Sequence, residues 1–190
     1  MSDPTPAEDH RAVAGHFGAL TASADPARWD DPAPVDGWTA RDVVAHLVEW
    51  LPALLEGGAG VVLPAGPSAA EDPVAAWAHH SAQVQALLDD PATPAKVLTN
   101  QHIGEVPLDQ AIARFYTSDV FLHTWDLARA TGQEAGLDEA RCAEVLAGME
   151  PLDEMLRASG QYGPRVEVPE SASAQDRLMG FIGRDPLRWV

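Results

Sequence analysis

Apolar residues recur at intervals of three or four positions along most of this chain, a spacing typical of amphipathic α-helices. The first such segment covers about Ala7 to Ala24, where Val13, Phe17 and Leu20 follow one another at intervals of four and three. The Asp25-Pro26 pair ends it, because proline has no backbone N–H with which to continue a helix.

A second helix is predicted to begin at Thr39, after a loop of residues 30–38 that is rich in proline, glycine and aspartate. Thr39 and Asp42 have the spacing of a capping box, in which two side chains satisfy each other's backbone N–H groups at the start of a helix. Pro52 interrupts the apolar pattern further on and predicts a kink or an early stop near Leu51.

Two more long helices follow in the pattern. One covers about Asp72 to Asp89, and the other covers about Leu108 to Ala130 and ends where Gly132 suits the left-handed conformation after a helix. Residues 91–107 lie between them and predict either a short extended excursion or an irregular loop, with little true sheet.

A fifth helix is predicted from about Asp138 to Ala158, bent or broken at Pro151, and a short one from Ala174 to Ile182. Four long helices with one long connection predict an all-α fold, a four-helix bundle with a crossover and short C-terminal helices. At 190 residues we expect a single domain, with the bundle in about residues 7–158 and a tail in residues 159–190.

The fourth predicted helix carries a carboxylate and an imidazole within an apolar segment. Asp119 and His123 are four positions apart, so their side chains lie one above the other on a helical face. Five further residues share this face, a stripe roughly 120° wide on a helical wheel: Ile112, Phe115, Tyr116, Leu122 and Asp126. Burying such a pair is costly unless the two groups are paired or bind an ion, so the spacing predicts a metal site or a buried ion pair.

His46 in the second helix shares its face with Val43 and Trp50, so we expect its imidazole to point inward. Together with Asp119 and His123 it forms a ligand set of nitrogen and carboxylate type, which suits Zn²⁺, Ni²⁺, Mn²⁺ or Fe²⁺. Three protein ligands leave a fourth position open, as in catalytic zinc sites. On the residues alone, a hydrogen-bonded His–Asp pair without a metal is an equal alternative.

The net charge indicates which partners to expect, and the cysteine content indicates whether a disulfide can form. The formal net charge is −17 and Lys96 is the single lysine, so we expect neither nucleic acid nor an anionic membrane surface as a partner. No run approaches about 18 consecutive apolar residues, and residues 1–9 are acidic, so we expect a cytoplasmic protein. The single cysteine, Cys142, cannot form an internal disulfide, and we expect it to be structural and unreactive.

Two segments together resemble a known family. Residues 34–47 have the sequence PVDGWTARDVVAHL, and residues 119–132 have the sequence DVFLHTWDLARATG. Both are similar to motifs of the DinB/YfiT-like metal-binding helical bundles, in the branch of the metal-binding domain of mycothiol-dependent maleylpyruvate isomerase. Residues 103–107 resemble the start of that family's last bundle helix, and residues 175–186 resemble the tail of its single-domain members, so the resemblance covers nearly the whole chain.

The resemblance implies that His46 is the first metal ligand and that Asp119 and His123 are the carboxylate and second histidine, with zinc the most expected ion. It also implies that the open metal position binds a low-molecular-weight thiol such as mycothiol, which then attacks an electrophilic substrate in a conjugation or isomerisation. The isomerase has glutamate in place of Asp119 and a second domain, so we do not expect isomerisation of maleylpyruvate itself.

Asp126 and Tyr116 are the candidate catalytic residues. Asp126 shares the stripe of the ligands, where it would orient His123 or accept a substrate proton; the alternative is a salt bridge with Arg129 or Arg41. Tyr116 would donate to a bound thiol or a substrate oxygen, and the alternative is a core tyrosine with a satisfied hydroxyl.

Two other functions stay open on the sequence. One is a non-catalytic metal- or ligand-binding protein, such as a sensor or a carrier. The other is a bundle that keeps a buried polar pair without a metal and serves only in interaction. For the favoured function we expect a small-molecule thiol and an electrophile as partners, and a monomer or a homodimer.

Overall fold

The computed structural model describes residues 3–101 and 104–189. The helices are α1 Pro6–Ser23, α2 Ala40–Ala59, α3 Pro73–Asp89, α4 Leu108–Ala111, α5 Ser118–Thr131, α6 Glu139–Met149, α7 Asp153–Ala158 and α8 Ala174–Phe181. The strands are β1 Val97–Asn100 and β2 Gly104–Pro107, and a π-helical segment, Ile112–Thr117, joins α4 to α5. Within the described residues, no helix combines the length and apolar character needed to cross a membrane.

The long helices α1, α2, α3 and α5 form the predicted bundle, and the all-α fold class is confirmed. Both α1 and α2 pack against α3 and α5, so α1 and α2 lie at opposite corners of the bundle. The connections from α1 to α2 and from α3 to α5 therefore each run between opposite corners. This arrangement brings α2 and α5, the helices with the candidate ligands, side by side.

α5 is the most deeply buried helix, and this corrects the prediction of a single buried stripe. Every residue from 121 to 128 is buried, so all sides of the helix are covered over these two turns. Beyond α1 and α2, the guanidinium of Arg141 in α6 lies over Phe121, and Arg184 from the C-terminal segment contacts Asp126. The segments that follow the bundle thus complete the surroundings of α5.

α2 continues through Pro52 to Ala59, so of the two predicted alternatives, a kink or an early stop near Leu51, the early stop is wrong. Buried Leu51 and Leu55 flank the proline, and their packing against the bundle offsets the missing backbone hydrogen bond. The helix ends at Gly60, whose φ of 63° is the left-handed conformation that favours glycine.

The fourth predicted helix is not one continuous α-helix. The segment Ile112–Thr117 is π-helical, so each of its turns holds more residues than an α-helical turn. A helical wheel at 100° per residue therefore misplaces some residues before Asp119, although Ile112 and Tyr116 are buried as predicted. Phe115, expected inside, is only partly buried, whereas Thr117 is completely buried.

β1 and β2 pair in antiparallel fashion, with Val97 opposite Pro107 and Asn100 opposite Gly104. The extended alternative is confirmed and the irregular loop is wrong. Buried Leu98 packs against Gly58 near the end of α2. Ile103, the first residue of one segment that carried the family resemblance, lies outside the described residues.

The C-terminal part follows the prediction closely. A 3₁₀ turn at residues 150–152 separates α6 from α7, which confirms the break at Pro151, and α8 matches the predicted tail helix. α6 and α8 pack against each other. Cys142 in α6 is fully buried, and burial raises the pKa of its thiol to about 12, so the thiol stays protonated at neutral pH.

Candidate metal centre

Two neighbouring helices of the bundle bring the three predicted ligands together. His46 comes from α2, and Asp119 and His123 come from successive turns of α5. One potential ligand atom of each residue lies within 4.8 Å of the corresponding atoms of the other two. Residues 73 positions apart in the sequence thus form a single cluster.

The distances in this cluster suit a small divalent ion. His46 Nε2 is 3.1 Å from Asp119 Oδ2, and His123 Nε2 is 3.5 Å from Asp119 Oδ1. Ligand atoms on a tetrahedral ion with bonds of about 2.0–2.1 Å are about 3.3 Å from each other. The donors suit such an ion in type, and both nitrogens lie close to that spacing from the Asp119 carboxylate, each beside a different one of its two oxygens.

The centre lies at the edge of the bundle core. The side chains of His46 and Asp119 are 32% and 24% exposed, while that of His123 is only 8% exposed. The expectation that His46 points inward is only partly right, since the deepest residues of α2 are on the neighbouring face that contains Val44 and Leu47. Partial exposure leaves a path from solvent to the ligands.

Two tryptophans restrain the ligands. Trp50 Nε1 donates a hydrogen bond of 3.0 Å to Asp119 Oδ2, which fixes one oxygen of the carboxylate. The Trp38 ring stacks on the His123 ring, with 5.6 Å between centroids and 19° between planes, and lies 5.0 Å from the His46 ring. One aromatic side chain thus covers both imidazoles.

Asp126 binds the far side of the His123 ring. His123 Nδ1 is 2.8 Å from Asp126 Oδ2, and the Asp126 side chain is completely buried. If Nδ1 donates to the carboxylate, Nε2 keeps its lone pair toward Asp119, which is the tautomer that a metal requires.

The cation that pairs with Asp126 is Arg184, not Arg129 or Arg41. Arg184 Nε donates to Oδ1 at 3.0 Å and Nη2 donates to Oδ2 at 2.8 Å. Burial would raise the pKa of Asp126, but the Arg184 charge and the hydrogen bonds from His123 and Arg184 outweigh it and hold the pKa at about 2. Asp126 is therefore ionised at neutral pH. Its catalytic role stays a prediction.

Tyr116 is completely buried behind the ligands. Its ring contacts those of Trp50, His80 and His10, with centroids 5.6 to 5.7 Å apart. Within the described residues its hydroxyl has no hydrogen-bond partner. Burial, and then the Asp119 charge, raise its pKa well above its usual range, so the phenol is neutral. Its proposed role as a proton donor stays a prediction.

Two cavities border residues near the centre. One, of about 460 Å³, is lined by Asp153, Arg157, Tyr162, Pro164 and Arg165. Burial raises the pKa of Tyr162, and the charge of Asp119 raises it further. The other, of about 480 Å³, is lined in part by Trp38. Both volumes are in the range of small-molecule sites.

Residues 10–128 match the family described as the mycothiol maleylpyruvate isomerase N-terminal domain. This chain belongs to that family. The assignment confirms the resemblance, and the matched residues of this family member include His46, Asp119, His123 and Asp126. Arg184 and Tyr162 lie beyond the matched range.

Two proteins of Mycobacterium tuberculosis, both described as uncharacterised, are similar to this family member over most of its length. One is from strain CDC 1551 / Oshkosh and the other from strain ATCC 25618 / H37Rv. Each is 30% identical over 184 residues, which cover 92% of this chain and 95% of the relative. No solved structure gives a significant match.

Sequence reasoning missed three residues of the site. Trp38 precedes α2 in a loop where no periodicity assigns a face. Arg184 follows α8 in residues 175–186, which took part in the family resemblance, but only the need of a buried Asp126 for a cation pointed to its role. Tyr162 lies in a segment without regular structure, and nothing in the sequence connects it to the ligands.

Proposed function

We propose that this protein binds one divalent metal ion through His46, Asp119 and His123, and uses it in a thiol-dependent transfer or isomerisation. The observation that carries the proposal is the convergence of three ligand atoms from two helices within 4.8 Å. Zinc is the favoured ion because two imidazoles and a carboxylate are common zinc donors, and Ni²⁺, Mn²⁺ and Fe²⁺ accept the same donor set.

The family supports a thiol as the second component, since its description names mycothiol. A divalent ion held by these residues would favour the thiolate form of a bound thiol near neutral pH. The protein contributes rigidity: Trp50 fixes Asp119, and Asp126 orients His123. Trp38 covers both imidazoles and limits the approach of water from its side.

The open pocket of about 460 Å³ is a candidate place for an electrophile, because Tyr162 in its lining is affected by the Asp119 charge. Tyr162 borders this cavity and stays protonated at neutral pH because burial and the Asp119 charge raise its pKa. It is therefore a candidate donor to a substrate oxygen, as is Tyr116 on the inner side of the centre. In either case the neutral phenol would donate a hydrogen bond to the developing negative charge, since its raised pKa opposes complete transfer of the proton.

Metal analysis tests the ligand assignment. We expect one metal ion per wild-type chain, and strongly reduced metal in His46→Ala, Asp119→Ala and His123→Ala. His79→Ala is the control, since His79 is a partly exposed histidine of α3 whose ring contacts the Pro64 carbonyl, and this variant should keep its metal. Stoichiometric metal in all three ligand variants would contradict the assignment.

Thiol binding separates an enzyme from a metal-binding sensor or carrier. Metal-loaded protein is mixed with mycothiol and a panel of electrophiles, and conjugates or isomers are identified by mass spectrometry and chromatography. We expect turnover that disappears in His123→Ala. If metal-loaded protein binds no thiol even at millimolar concentration, the transferase function is wrong and a non-catalytic role is favoured.

A further inference from the structure

We infer that the C-terminal segment, residues 160–189, helps to hold the metal centre in the conformation that binds metal. Arg184 is a positioning residue that acts through Asp126 on His123, so metal binding and docking of this segment stabilise each other. The inference rests on the proposed ligand set and adds to it a residue 58 positions from Asp126 and outside the family match.

A continuous series of hydrogen bonds joins the segment to the ligands. Arg184 donates to both oxygens of Asp126, at 3.0 and 2.8 Å, and Asp126 Oδ2 lies 2.8 Å from His123 Nδ1. A planar guanidinium that bonds both oxygens fixes the rotation of the carboxylate as well as its position. The carboxylate in turn fixes the plane of the imidazole.

The buried Asp126 carboxylate needs the positive charge of the Arg184 guanidinium. His123 lies between two carboxylates, Asp119 and Asp126, and Asp126 is completely buried. A buried carboxylate without a counter-charge is strongly unfavourable. If Arg184 moved away, Asp126 would have to reorganise or take up water, and His123 would lose its fixed orientation.

The segment that carries Arg184 is built to hold it. Gly183 has a φ of 90°, and a side chain there would lie within 2.9 Å of the Gly163 Cα, so the chain turns closely against its own earlier part. Arg157 donates to the carbonyls of Gly163 and Phe181, and the Arg184 N–H donates to the Met179 carbonyl at 2.9 Å. Five side chains of the segment are buried: Leu178, Met179, Phe181, Ile182 and Pro186.

Docking of the segment and binding of the metal affect each other equally, because the two equilibria are thermodynamically linked. If the docked segment favours the His123 orientation that binds metal, then bound metal must favour the docked segment by the same free energy. Metal occupancy is thereby coupled to the order of a region that contains none of the ligands.

The first test compares metal affinity by competition with a chelator of known affinity. Arg184→Gln should weaken metal binding about 10- to 100-fold, the usual effect of removing a group that orients a metal ligand. Arg184→Lys, which keeps the charge but not the two-pronged contact, should be intermediate. Arg177→Gln removes an exposed arginine from the same segment and should bind metal like the wild type. Wild-type affinity in a folded Arg184→Gln protein would overturn the inference.

The second test uses the wild-type protein, so it does not depend on the folding of a variant. Hydrogen exchange is compared between metal-free and metal-loaded protein. We expect slower exchange in peptides from residues 174–189 on metal loading, and no change in α3, which holds none of the proposed ligands. Unchanged exchange in residues 174–189 overturns the coupling, whereas metal bound by all three ligand variants overturns the proposed function instead.

Discussion

Asp126 is a buried carboxylate with two different donors, the His123 imidazole and the Arg184 guanidinium. Spacing on a helix placed it near His123, because residues three apart share a face. Spacing could not identify Arg184, since that contact depends on how a tail of irregular structure returns to the bundle. The shared helical face of Asp119, His123 and Asp126 was predictable from local periodicity, and the charge balance around these residues was not.

Asp126→Asn should lower the free energy of unfolding of the metal-free protein by about 3–5 kcal/mol, because it leaves the Arg184 charge largely buried without its partner. Urea denaturation measures the change. Asp30→Asn removes an 85% exposed carboxylate that pairs with Arg41, and should change stability by less than about 1 kcal/mol. Equal effects of the two substitutions would show that the buried pair is not a stabilising element.

The buried His80 makes the fold sensitive to acid. Burial lowers its pKa from 6.5 to about 4, so between these values the unfolded chain binds a proton that the folded chain does not. Stability therefore falls as the pH decreases through this range, by up to about 3 kcal/mol for this group. His10, with its pKa also lowered to about 4 by burial, adds a similar dependence.

His80→Leu should reduce the loss of stability between pH 7 and pH 4, because it removes one of the two buried imidazoles and leaves no polar atom unpaired. Thermal unfolding across this pH range measures the slope. His79→Leu, at the neighbouring partly exposed position, should change the slope only slightly, since the His79 charge is a minor cause of the lowered His80 pKa. An unchanged slope in His80→Leu would mean that His80 is protonated in the folded protein.

Among the secondary structure elements, α2 has a start that local sequence determines and a course that depends on packing in the bundle. Its start was predictable, because the Thr39 side chain accepts from the Asp42 N–H and Asp42 accepts from the Thr39 N–H. Its passage through Pro52 was not, since packing of Leu51 and Leu55 overrides the preference of proline. The π segment Ile112–Thr117 was equally hidden, because π- and α-helical turns differ by one residue and the choice is made by packing.

Thr39→Ala should lower the free energy of unfolding by about 1 kcal/mol, because it removes the side-chain cap of α2. Thr39→Ser keeps a hydroxyl cap and should stay within a few tenths of a kcal/mol of the wild type. Both are measured by denaturant unfolding of metal-free protein. A loss as large in Thr39→Ser as in Thr39→Ala would show that the methyl group, and not the hydrogen bond, stabilises this end.

At the scale of the whole molecule, the main feature is the large excess of negative charge. A net charge of −17 produces repulsion across a chain of 190 residues, and salt screens this repulsion. The same excess of negative charge attracts divalent cations in general, so stabilisation by a metal has to be separated from screening.

Sodium chloride should raise the melting temperature of wild-type and His123→Ala proteins alike, because screening acts on the whole surface. A low concentration of Zn²⁺ should raise the melting temperature of the wild type only, since binding to one site stabilises the folded state by mass action. Calorimetry at constant ionic strength measures both. Equal stabilisation of the two proteins by Zn²⁺ would indicate non-specific binding to the acidic surface.

The contacts of Trp38 and Trp50 give the centre a built-in optical signal. Trp38 stacks on His123, and the indole nitrogen of Trp50 bonds the Asp119 carboxylate. An ion that withdraws electron density from these ligands changes the surroundings of both indoles, so tryptophan emission can follow occupancy in real time. We therefore expect tryptophan emission to follow the loading and release of an ion at the proposed site without any attached dye.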